Sequence, residues 1–109
     1  MKLSKEDFLR LMSCDLEGRF CIEIDFLIEG DAEYHQCSMG KMPSREDSTV
    51  DEYWYGLTPD GAQAYEYFIL QEFCDAPVFR GRSLFEIWDK VDFCSLDGCP
   101  FEDRIGAYL

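Results

Sequence analysis

The sequence predicts an α+β fold, a single domain built on an antiparallel sheet of about four strands with helices packed on one face. Three observations lead there. A capped amphipathic segment opens the chain, the run Arg19 to Glu29 alternates apolar with polar side chains, and helical spacing returns only after further strand-like segments have ended. The expected order is helix, four strands, two helices, a short strand and a last helix. All 109 residues form one unit, long enough to bury a core.

The first helix has a written start. Ser4 is placed to cap it, Asp7 supplies the acidic half of a capping box, and Leu3 with Phe8 forms a hydrophobic staple. Phe8, Leu9, Leu11 and Met12 make the buried stripe, and the helix fades between Cys14 and Gly18. The first strand follows. Phe20, Ile22, Ile24, Phe26 and Ile28 share one face, while Cys21, Glu23, Asp25, Leu27 and Glu29 share the other.

Gly30-Asp31 reads as a two-residue turn with Gly first. That register sets Ile28 against Glu33, Phe26 against His35, Ile24 against Cys37 and Ile22 against Met39. It points Cys37 and Met39 inward and turns His35 toward the core near Phe26. On the outer face it sets Asp25 against Gln36 and Glu23 against Ser38. A three-residue loop would instead oppose Glu29 and Glu33, and directly opposed like charges are unfavourable. Lys41 to Asp51 reads as a long surface connection.

Glu52 to Leu57 is the third strand, with Tyr53 and Tyr55 on one face and Trp54 on the other. Thr58-Pro59-Asp60-Gly61 turns the chain into a fourth strand, Ala62 to Phe68, antiparallel to the third. Ile69 to Asp75 has helical spacing and ends at Pro77. Ser83-Leu84-Phe85-Glu86 is a full capping-box pattern, and the helix it opens carries Leu84, Ile87, Trp88 and Val91 on one side. Asp92 to Leu96 is the short last strand, closed by Asp97-Gly98. Pro100 fits the first turn of a terminal helix, with Glu102 and Asp103 at its positive end.

Charge bounds the function. Asp and Glu number 23 against 10 Lys and Arg, a net charge of −13. Apolar residues are 47 % and aromatics 16 %, which sets the chain apart from disordered acidic tails. The acidity therefore belongs to the surface of a packed domain. Such a surface repels phosphates, so direct binding to nucleic acid or to an anionic membrane is not expected. It attracts basic partners and speeds their encounter. The charged start of the chain lacks an export signal, and no window has the ~18–20 apolar residues of a membrane span. A cytoplasmic location is expected, with the six cysteines as free thiols.

Catalytic and metal motifs are thin. Cys14, Cys21, Cys37, Cys74, Cys94 and Cys99 lack the pair spacings of zinc modules, and His35 is the one histidine. No metal and no cofactor are expected. Cys74 and Cys94 read as small core residues. His35 and Cys37 share a strand face, yet a nucleophile pair also needs a cleft, an oxyanion donor and a lowered thiol pKa. A structural histidine outweighs that reading.

Aromatic residues carry the binding signal. Tyr34, Tyr53, Trp54, Tyr55, Tyr65 and Tyr67 fall on adjacent predicted strands, and Trp54 shares a face with Glu23 and Asp25. Tyr and Trp are favoured at interfaces because they bury large area and keep a polar handle. The candidate binding residues are Glu23, Asp25, Tyr34 and Trp54. They suit an interaction domain for a partner with a basic surface. Two alternatives stand beside it: a nucleic-acid mimic that inhibits a DNA- or RNA-binding protein, and an enzyme of unknown type using His35.

Overall fold

A computed structural model describes residues 1–14 and 21–109. The fading end of the first helix and the expected strand start at Arg19 and Phe20 lie outside the described residues. The chain runs α1 (Lys5–Met12), β1 (Ile22–Ile28), β2 (Cys37–Pro43), β3 (Asp51–Gly56), β4 (Ala64–Tyr67), α2 (Leu70–Asp75), a 3₁₀ turn (Trp88–Lys90), β5 (Val91–Leu96), β6 (Cys99–Pro100), α3 (Phe101–Arg104) and a closing 3₁₀ turn (Ile105–Ala107). The α+β class holds. The sheet, however, has six strands and not about four, in the order β4-β3-β2-β1-β5-β6, all antiparallel.

The two further strands come from the end of the chain: β5 is the expected short strand at Asp92 to Leu96, now part of the main sheet, and β6 is the one the sequence did not announce. β5 docks on the free edge of β1, and β6 extends the sheet by a two-residue hairpin. Asp97 and Gly98 both adopt positive φ, 54° and 81°, the backbone that a type I′ turn demands.

α1 forms as its sequence dictates. Ser4 Oγ accepts from Asp7 N at 3.0 Å, and Phe8, Leu11 and Met12 are buried. Leu9 is exposed, which narrows the expected stripe. The helix order departs from expectation after α2. The capping box at Ser83 is made in both directions: Ser83 N donates to Glu86 Oε1 at 2.9 Å and Glu86 N to Ser83 Oγ at 3.2 Å. Yet it opens only consecutive turns and the 3₁₀ segment, not an α-helix. Val91 must be extended to pair with Ile28, so the chain has no room for further helical turns.

The β1–β2 register is also corrected. Ile22 faces Lys41, Ile24 faces Met39, Phe26 faces Cys37 and Asp25 faces Ser38. Each partner lies two residues beyond the expected one. A shift of two preserves the faces, so Cys37 and Met39 do point inward and are buried. The turn differs as well. Asp31 N donates to Ile28 O, so Gly30 is the third residue of the turn and not its first central one. The loop then continues to Gln36, held by Asp31 Oδ1, which accepts from Glu33 N and Tyr34 N. Arg80 binds Asp31 and Glu33 together.

Lys41 to Pro43 belong to β2, which shortens the expected long connection to residues 44–50. Lys41 is 4 % exposed, and its ammonium reaches Cys14 O and Asp51.

The core lies on one side of the sheet. Ile22, Ile24, Phe26 and Ile28 of β1, Met39 of β2, Tyr53 and Tyr55 of β3, and Val91 and Phe93 of β5 meet α1, α2, α3 and the 76–90 crossover there. Tyr55 stacks on Phe73 with centroids 4.1 Å apart, and its hydroxyl donates to Phe73 O at 2.7 Å. Trp88 is half-buried against Phe8, Phe85 and Phe93, and its indole N–H donates to Leu3 O at 2.8 Å.

Candidate functional site

The strand faces opposite the core carry the candidate site. One rung across the sheet reads Glu66, Trp54, Gly40, Glu23; the next reads Ala64, Gly56, Ser38, Asp25, Ser95. Glycines stand beside Trp54 on its own rung, at Gly40, and two residues along its own strand, at Gly56. The indole therefore lies down on the sheet, over Gly40. A Cβ on Gly40 would come 3.0 Å from the ring and 2.0 Å from Ile22 O. Small residues around one large ring leave a hollow of about 630 Å³, lined by Trp54, Gly56, Ser38, Asp25, Cys94 and His35 among others.

Asp25 is held from both sides. Its Oδ1 accepts from Ser38 Oγ at 3.0 Å and its Oδ2 from Ser95 Oγ at 2.8 Å. The second contact depends on a β-bulge. Asp25 faces Ser95 and Phe26 faces Phe93, so Cys94 is the extra residue, and both Cys94 and Ser95 avoid the core. Outward positions of the strands carry Glu23, Asp25, Glu52, Glu66 and Asp92, and no Lys or Arg stands on any of them. A hydrogen bond with Glu66, with burial and repulsion behind it, raises the Glu52 carboxyl above its usual range.

The structure brings together three of the four candidate residues. Glu23 and Asp25 are exposed and Trp54 is half-buried on the same face. Tyr34 stands apart. It is 3 % exposed in the core, donates from its hydroxyl to Gln63 Oε1 at 2.8 Å and lies under the Arg80 guanidinium, 4.6 Å from the ring centre. The loop that replaces the expected tight turn carries Tyr34 inward.

His35 also departs from expectation. The β1–β2 ladder ends at Phe26 and Cys37, so His35 falls in the loop. It is exposed at the rim of the hollow, with Nδ1 2.5 Å from Ala32 O. Cys37 points the other way. Its thiol donates to Leu57 O at 3.3 Å, and burial pushes it up to about 12. The two do not form a nucleophile–base pair. Cys74 is buried as expected, but Cys94 is exposed on the open face. Its position between Phe93 and Ser95, one residue after an inward side chain, signals that orientation in the sequence. Ser38 and Ser95 join Asp25 through pairings that nothing in the local sequence signals.

All six cysteines are unpaired in the structure. Among the described residues, no group of His, Cys, Asp or Glu is arranged to hold a metal ion, and no helix is long and apolar enough to cross a membrane. No protein-family model matches the chain, and no curated protein or solved structure matches it.

Proposed function

We propose that this protein is an acidic interaction module that takes a basic protein partner on the outer face of its sheet. The observation that carries the reading is the rung Glu66–Trp54–Gly40–Glu23, an aromatic ring lying flat between carboxylates on strands whose outward positions hold no cation. Carboxylates steer a basic surface toward the face, and a large, already ordered aromatic gives it area to bury. A partner that ordinarily binds nucleic acid is the special case in which the carboxylates stand in for phosphates. Trp54 interrupts the row of charges, which favours the general case.

The test is kinetic. A lysine- and arginine-rich peptide is passed over immobilised protein at several salt concentrations. Association slows as the screening length falls from ~10 Å at 0.1 M to ~3 Å at 1 M. Glu23→Gln with Asp25→Asn lowers the on-rate, and Trp54→Ala raises the off-rate. Salt-independent association, or a Trp54→Ala variant that binds like the parent, would leave the acidity as a solubility device.

A further inference from the structure

The hollow beside Trp54 has a more specific chemistry than its charge. Asp25 is exposed, and each of its oxygens accepts one serine hydroxyl, from Ser38 and from Ser95. An ionised carboxylate has about four acceptor sites, so roughly one per oxygen remains open. One free site on each oxygen is the number that a guanidinium fork uses. The hydroxyls come from the strands on either side of β1, so the carboxylate is fixed by the sheet and loses little freedom when a ligand arrives. Trp54 forms another wall of the same hollow. A guanidinium is planar, stacks on aromatic faces and is more weakly hydrated than an ammonium.

We infer that the hollow is a socket for one arginine side chain of the partner, with the guanidinium donating to Asp25 and lying against the Trp54 indole. This rests on the reading of the outer face as the docking surface and adds to it the residue that the surface selects. Arginine fits better than lysine because an ammonium has no planar fork to match the two oxygens. The approach of the ligand is unobstructed by cations of the sheet, since the outward strand positions hold none.

The experiment uses N-acetyl-arginine amide, N-acetyl-lysine amide and the neutral isostere N-acetyl-citrulline amide as probes, each titrated into the whole protein and followed by amide and indole NMR. The arginine probe should shift the Trp54 indole and the Asp25, Ser38 and Ser95 amides saturably. Citrulline, and arginine against Asp25→Asn, should bind at least about tenfold more weakly, the loss expected of one charge-assisted contact. Ser38→Ala with Ser95→Ala should narrow the preference for arginine over lysine, a change that lost charge alone would not cause. An unchanged amide spectrum away from the site verifies that each variant is folded.

Equal binding of arginine and lysine, or arginine binding that survives Asp25→Asn, overturns the socket. If the basic peptide still binds the outer face in that case, the docking surface stands without it. If neither the peptide nor any probe perturbs the face, both ideas fall.

Discussion

Replacing Gly40 by alanine tests the geometry on which the site depends. The added Cβ would lie 2.0 Å from Ile22 O and 3.0 Å from the Trp54 ring. Side-chain carbons essentially never approach closer than 3.0 Å, so about 1 Å must be opened. The obstacle is backbone of the neighbouring strand, so the indole cannot relieve it by rotating. Moving β1 away from β2 by that amount stretches ladder bonds from ~2.9 Å past the bonding range. Two lost bonds at ~1 kcal/mol each, with ~1–3 kcal/mol of overpacking strain, are opposed by ~0.5–1 kcal/mol gained from a stiffer unfolded chain. The net loss is about 2–4.5 kcal/mol, a large share of the ~5–15 kcal/mol typical of a domain. Gly56→Ala is the control, because its Cβ would meet the Trp54 ring at an ordinary 3.9 Å. That variant should be neutral or up to ~1 kcal/mol more stable. Urea unfolding of the three proteins reads the difference. A Gly40→Ala protein as stable as the parent, or a Gly56→Ala protein equally damaged, would refute the account of this face.

Other consequences can be measured independently. Trp88→Ala should cost about 3 kcal/mol in a denaturant melt, the lower end for a large aromatic because the ring is only half-buried. A thiol reagent at pH 8 should label exposed Cys21, Cys94 and Cys99 in the native protein, while Cys37 and Cys74, pushed up to about 12 and about 11 by burial, should react only on unfolding. The Arg80 guanidinium holds the Asp31 and Glu33 carboxyls below their usual range, so their stabilisation is present above ~4 and lost as pH falls through the depressed values. Arg80→Met should therefore be less stable than the parent at neutral pH, with the gap closing in acid. Glu52 runs the opposite way. Its raised carboxyl favours the folded state at low pH, and this contribution disappears as pH rises through the raised value. Glu66→Gln should return Glu52 toward its usual titration, followed by NMR, and should gain stability over the parent only above the normal carboxylate range.

Local signals carried most of the elements. Ser4, the alternation through Ile22–Ile28, the Tyr53-Trp54-Tyr55 pattern and Asp97-Gly98 act within a few residues of themselves, and each is where the sequence puts it. What local reading missed is long-range. The length of the β1–β2 loop depends on Arg80 binding Asp31 and Glu33 and on Tyr34 meeting Gln63, contacts made by residues far along the chain. The Ser83 capping box is real, but a strand pairing with Ile28 overrides the helix it announces. Of the candidate site, Glu23, Asp25 and Trp54 were legible because face parity survives a shift of two residues. Tyr34 was misplaced because parity says nothing inside a loop. The Asp25 clamp was invisible, since one of its serines depends on a bulge in β5.

The position of β5 has a consequence for synthesis. β1 lies inside the finished sheet, yet one of its edges is closed only by residues 91–96. On the ribosome, Ile22–Ile28 must wait until residues 91–96 have emerged, with a row of unpaired backbone groups exposed. A strand rich in Ile and Phe in that condition templates aggregation. Glu23 and Asp25 interrupt its first half and leave Phe26-Leu27-Ile28 as its longest apolar stretch, and charges within such a strand act as gatekeepers. The acids of the outer face are thus in place along the nascent strand before there is any finished surface to present.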